Sequence, residues 1–160
     1  MLILLQVVLF EDLTLFDVAR PFPYIIAILY LSIRLTRWQG LLASFALGLV
    51  IDIFSYSYGI HAAACVLTFY LRDVVLHSLL GVTEENAGVE PHIHTIGTST
   101  FLLYATIMTF IHHFMVISLD VMSGGEFILI LLRTIVNSVF TLLLILIFDV
   151  IFYYQQGRAR

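Results

Sequence analysis

Runs of apolar residues long enough to cross a membrane, closed by isolated charges, constrain this chain more than any other feature. A membrane helix needs about 20 apolar residues, rising 1.5 Å each, to cross roughly 30 Å of hydrocarbon. Ile96 to Leu119 is such a run, closed by Asp120 and the Gly124-Gly125 turn. Phe127 to Tyr154 is another, interrupted by Arg133 and Asp149. Four shorter runs precede them. Met1 to Phe10 is stopped by Glu11 and Asp12, and Phe22 to Leu35 follows Arg20. Trp38 to Phe54 carries Asp52, and Ile60 to Leu71 ends at Arg72 with a possible extension to Leu80. A barrel would satisfy the backbone in lipid equally well, but its strands alternate apolar and polar residues. The run Leu142-Leu143-Leu144-Ile145-Leu146-Ile147-Phe148 does not alternate.

Composition agrees. Of 160 residues 61% are hydrophobic and 11% charged, and the mean hydropathy is +1.06. Soluble domains carry about 45–50% apolar and about 25% charged residues. This chain lacks the polar surface for a water-facing globule. Its seven basic residues, all Arg, face eleven acidic ones, which gives no electrostatic footprint for nucleic acid. Cys65 stands alone and makes no intrachain disulfide. The expected fold is an all-α integral membrane protein of about six transmembrane helices. Residues 1–160 form one polytopic domain, with a polar cytoplasmic loop at about 81–94 that holds Glu84, Glu85 and Glu90.

Threading six spans from a cytoplasmic N-terminus puts Arg34, Arg37, Arg72, Arg158 and Arg160 inside and leaves Arg20 and Arg133 outside. That is the positive-inside pattern, and it places both termini in the cytoplasm. The first run is about 15 Å long if it stops at Phe10, so it must extend to about Phe16 or begin upstream. It has no basic n-region and no small-residue cleavage site, so it reads as a helix that stays in the membrane.

Ionisable groups at membrane depth are costly and normally face other helices or water. Gly40, Ser44, Gly48 and Asp52 recur every four residues, which is one helix face suited to close packing. Asp52 ends that stripe, facing the bundle or capping the next helix. His61, Cys65, Thr68 and Arg72 fall on one face of the fourth run, with Arg72 read as an anchor snorkelling to the interface. Thr106, Thr109 and His113 share a face of the fifth run, with His112 about 100° away. Arg133, Asn137 and Thr141 form a stripe in the sixth. In the six-span arrangement Asp52, His61, His112, His113 and Arg133 lie toward the outer side. Arg133 is expected to pair with Asp52 or Asp120, ringed by the histidines, as a structural clamp or partner-binding cluster. Arg20, Pro21 and Pro23 form a stiff turn opening the second span, where proline is tolerated at a helix start.

Catalytic patterns are missing. Ser99 and Ser118 lack a Gly-x-Ser context, and no His-Glu-x-x-His or phosphate loop occurs. His92 and His94 have a spacing that binds zinc in an extended chain, but no cysteine joins them. Asp17-Val-Ala-Arg20 with Gly48 and Asp52 suggests membrane phosphoalcohol transferases, whose pattern wants a further aspartate where Tyr56 stands. The expectation is a protein that is not an enzyme and holds no cofactor or metal.

Three pieces carry a resemblance: Ala19-Arg-Pro-Phe-Pro-Tyr24, Phe45-Ala-Leu-Gly-Leu-Val-Ile-Asp-Ile-Phe-Ser55 and Gly59-Ile-His-Ala-Ala-Ala64. Together with Phe110-Ile-His-His-Phe114 and Leu132-Arg133, they resemble the rod shape-determining protein MreD family of bacteria. The most family-like part is Gly-Leu-x-x-Asp-x-x-Ser followed by Gly-x-His-Ala. The short first run departs from the family's fuller first helix. The resemblance implies a multi-pass subunit of the bacterial cytoplasmic membrane with a fold like the substrate-binding S-component of energy-coupling-factor transporters. It implies as partners an MreC-like protein, a RodA-type glycosyltransferase and its penicillin-binding transpeptidase. A second reading, which shares the six-helix plan and the outer polar cluster, is the substrate-binding membrane subunit of a vitamin or small-molecule transporter.

Overall fold

A computed structural model describes residues 20–31, 35–80, 91–121 and 126–157. These are helical wherever they are regular. α1 is Ile25–Leu29, α2 Arg37–Ser55, α3 Ile60–Leu80, α4 Ile93–Ile96, α5 Thr98–Asp120 and α6 Phe127–Gly157. Four of them, α2, α3, α5 and α6, are long and apolar enough to cross a membrane. The shortest of the four, 19 residues, is about 28 Å long at 1.5 Å per residue.

The long helices follow the apolar runs closely because nothing inside those runs breaks a helix. α2 packs on α3, α3 on α5, and α5 on α6. Their outer faces are apolar. Trp38, Leu42, Phe45, Leu49 and Ile53 line the exposed side of α2, and Leu132, Ile135, Val139, Leu143 and Ile147 that of α6. Spacings of three and four put each set on one helix face, where a water-soluble protein would carry charge.

The expected helix over Phe22–Leu35 is not formed as such. α1 has only five residues. Pro21 and Pro23 precede it, fixing φ and removing two backbone donors. The segment nevertheless lies at the centre of the molecule, with Tyr24, Ile25, Ile28 and Leu29 fully buried. On one side Ile25, Ile26 and Leu29 join Leu76, Phe101, Tyr104, Met108 and Ile145 in an apolar cluster. On the other, Tyr24 and Ile28 pack with Ile51, Cys65 and Phe69. The segment runs beside α6 in the same direction: Arg20 meets Asn137, Phe22 meets Thr141, and Tyr30 meets Asp149. The expected first span, 1–10, and most of the 81–94 loop lie outside the described residues. Among the described residues, the four long helices and the threaded segment stand where the last five of the six expected spans were placed.

Candidate functional site

An irregular segment inside a membrane bundle exposes backbone groups that no water can satisfy. Such backbone is tolerated only where protein groups satisfy it. The polar residues of the apolar runs do this. The Arg20 backbone N–H donates to Asn137 Oδ1, and the Phe22 N–H donates to Thr141 Oγ1 at 3.0 Å. At the other end, Leu29 and Leu31 carry carbonyls left over where α1 stops. The Arg72 guanidinium donates to both, and its Nε donates to Tyr104 Oη at 3.0 Å. Tyr104 Oη in turn donates to Leu29 O at 3.2 Å. Arg72 is 1% exposed, so it is not the snorkelling anchor its position suggested. Its charge is spent on main-chain oxygens instead of reaching for the interface. Nearby, Tyr30 Oη donates to the buried Asp149 carboxylate at 2.6 Å.

Between these ends sits a cluster centred on Tyr24. Its hydroxyl lies 2.7 Å from His61 Nδ1 and 2.7 Å from His112 Nε2. The far nitrogen of His112, Nδ1, is 3.2 Å from Thr68 Oγ1, which donates its own hydrogen to Ala64 O. For uncharged rings the directions follow from that carbonyl. Thr68 has no hydrogen left for His112, so His112 Nδ1–H donates to it. His112 Nε2 then accepts from the Tyr24 hydroxyl, and Tyr24 Oη accepts from His61 Nδ1–H. His113 is fixed in the same way: Nδ1–H donates to Thr109 O at 2.8 Å, and Nε2 accepts from Thr141 at 3.1 Å. Phe22 lies among all three imidazoles, stacked on His113 with centroids 5.1 Å apart and edge-on to His61 at 5.1 Å. The adjacent histidines of α5 thus point apart, one toward Tyr24 and the other toward Thr141.

A third unit is the corner between α2 and α3. The Asp52 carboxylate accepts from the backbone N–H of His61 at 2.9 Å, of Ala62 at 2.8 Å, and from Ser57 Oγ at 2.7 Å. Two of the free N–H groups at the start of α3 are thereby satisfied by an acid on the preceding helix. Gly48 lies against Ala62 so closely that a Cβ there would meet Ala62 Cα at 2.5 Å. Gly40 lies against the Phe69 ring. The Gly40, Ser44 and Gly48 face is where α2 meets α3. Gly59, at φ +85°, makes the turn that brings α3 back under Asp52.

The structure therefore brings together Asp52, His61, His112 and His113, but not Arg133. Asp52 is committed to the start of α3, Asp120 is exposed, and Arg133 forms no ion pair among the described residues. The expected Arg133 pairing is corrected accordingly: the carboxylate is taken by backbone donors nine and ten residues away. Arg133 contributes its carbonyl, which accepts from Asn137 Nδ2 at 2.7 Å. Residues 93–96 are helical, so His92 and His94 do not stand in an extended chain. No group of three metal-ligating side chains occurs among the described residues. Sequence reasoning missed Tyr24 as the hub and Tyr104 as a partner of Arg72. The stripe His61, Cys65, Thr68 and Arg72 was the available signal, because all four face the central segment.

No family model, no curated protein and no solved structure matches this chain.

Proposed function

We propose that the chain is a non-enzymatic membrane subunit of the bacterial cell-elongation machinery, of the MreD kind. It would sit in the cytoplasmic membrane with six spans and cytoplasmic termini, in a fold like the S-component of energy-coupling-factor transporters. Its partners would be an MreC-like protein, a RodA-type glycosyltransferase and a penicillin-binding transpeptidase. One observation supports the reading above the rest. The two family-like sequence pieces touch: Gly48 lies against Ala62, and Asp52 binds the His61 and Ala62 N–H groups. The motif is therefore one physical corner, and its residues depend on one another. The polar groups of the Tyr24 cluster and of the Asp52 corner are also consumed by the fold, which suits a scaffold acting through its outer faces.

Affinity purification of the tagged chain from native membranes in mild detergent, with mass spectrometry of the co-purifying proteins, tests the proposal. An MreC-like protein, the glycosyltransferase or the transpeptidase is the expected catch. Paired ATPases with a membrane coupling subunit would replace the reading with that of a transporter component.

A further inference from the structure

One surface feature is not used by the corner or by the central segment. Between α2 and α3 runs an open groove of about 640 Å³, lined by Leu41, Phe45 and Leu49 on one side and Ala63, Val66 and Tyr70 on the other. Its lining is almost wholly apolar. Leu41 to Leu49 covers eight residues of α2, about 12 Å of groove. One turn before Leu41 stands Arg37, the first residue of α2. Its guanidinium carbon lies 4.6 Å from the centroid of the Tyr70 ring. A guanidinium held over an aromatic ring through its charge can still give its N–H donors to an anion. Asp73, one turn beyond Tyr70 on α3, forms no ion pair with Arg37 among the described residues, so those donors are not spent on it. The exposed indole of Trp38 sits beside Arg37, as aromatic rings do at the membrane–water interface.

We infer that this groove is a binding site for an anionic phospholipid. An acyl chain lies along Leu41–Leu49 and Ala63–Tyr70, and the headgroup phosphate is held by Arg37. Arg37 lies over Tyr70 at one end of the groove with Trp38 beside it, where a headgroup stands when its acyl chain runs along α2; a partner's apolar helix would bring no anion to that guanidinium. Charge favours an anionic headgroup, because a phosphate takes two parallel N–H bonds from a guanidinium. A zwitterionic lipid fills the same groove with a weaker hold on its headgroup.

The test uses the purified full chain, delipidated in non-ionic detergent and titrated with palmitoyl-oleoyl phosphatidylglycerol or the matching phosphatidylcholine. Bound lipid is counted by native mass spectrometry. The expected result is one tightly held phosphatidylglycerol, preferred over phosphatidylcholine about fivefold, the effect of one basic residue at a membrane surface. Arg37→Gln, a change on an exposed side chain, removes the preference and leaves weak binding of both lipids. Ala63→Phe fills the groove and weakens both. Equal retention of the two lipids by the unaltered chain would overturn the inference, as would an undiminished preference in Arg37→Gln. A folded Ala63→Phe protein that binds like the unaltered chain also overturns it, as does a co-purifying helix found cross-linked along the groove. Should Ala63→Phe not fold, the Arg37→Gln comparison decides alone.

Discussion

At the scale of single residues, the buried polar groups that hold the central segment and the α2–α3 corner have definite tasks, and the tasks differ in kind. Asp52 satisfies two backbone donors at the start of α3 together with the Ser57 hydroxyl. Asp52→Ala leaves those donors without the carboxylate at a site 5% exposed. The expected loss is about 1–3 kcal/mol, the cost of leaving buried groups unsatisfied. It is read as a lower thermal transition in detergent, with Asp52→Asn retaining part of the stability because an amide oxygen still accepts. Arg72 holds the carbonyls of Leu29 and Leu31. Arg72→Met keeps the bulk and removes the donors, and about 1.5–3 kcal/mol is expected to go with each charged hydrogen bond that is not replaced. A snorkelling arginine would tolerate that change, so an unaltered melting curve for Arg72→Met speaks against the buried role.

At the scale of elements, the contact between α2 and α3 rests on two glycines that differ in what faces them. A Cβ at Gly48 would meet the Ala62 backbone at 2.5 Å, whereas one at Gly40 would meet the outer atoms of the Phe69 ring. A ring can turn aside and a helix backbone cannot. Gly48→Ala is therefore expected to cost more than Gly40→Ala, with overpacking at Gly48 worth about 1–3 kcal/mol. Thermal unfolding of the two variants side by side checks the order, and equal losses would mean that α2 and α3 are not in this register. The four long helices were legible in the sequence. The runs Trp38–Phe54, Ile96–Leu119 and Phe127–Tyr154 match α2, α5 and α6 to within a few residues, and Ile60–Leu71 matches α3 only with its extension past Arg72 to Leu80. Hydropathy could not reveal the break after Phe22. An apolar segment threaded through a bundle has the same composition as one that crosses as a helix. Only Pro21 and Pro23 hinted at it, and proline is equally at home in the first turn of a regular helix. The carbonyls that Arg72 serves carry no side-chain signature at all, which is why that residue resembled an interfacial anchor.

At the scale of the whole molecule, the architecture is an apolar exterior around a central segment whose backbone is satisfied by its neighbours. α3, α5 and α6 each lend polar side chains to 20–31: Arg72 and His61, Tyr104 and His112, Asn137 and Thr141. Interhelical hydrogen bonds are a main source of specificity where hydrophobic burial does not drive helix association. Of the residues expected to form a clamp around Arg133, His61 and His112 are instead held on Tyr24, Asp52 on the start of α3, and His113 on Thr109 and Thr141. The sequence could place Asp52, His61, His112 and His113 toward one end of the bundle. It could not show which of them touch, because that depends on where the broken segment lies. The central claim is that Tyr24 links the two histidines it touches and so fixes His61, in a network running in one direction from His61 to Ala64. Nitrogen-15 NMR of the histidine-labelled protein in detergent tests it directly. The account predicts that His61 and His112 are each protonated on Nδ1 and not on Nε2, and that Tyr24→Phe abolishes the single-tautomer pattern at His61, while His112, held by Thr68, and His113, held by Thr109, keep theirs. Averaged tautomers at His61 and His112 in the unaltered protein, or no change on Tyr24→Phe, would contradict it.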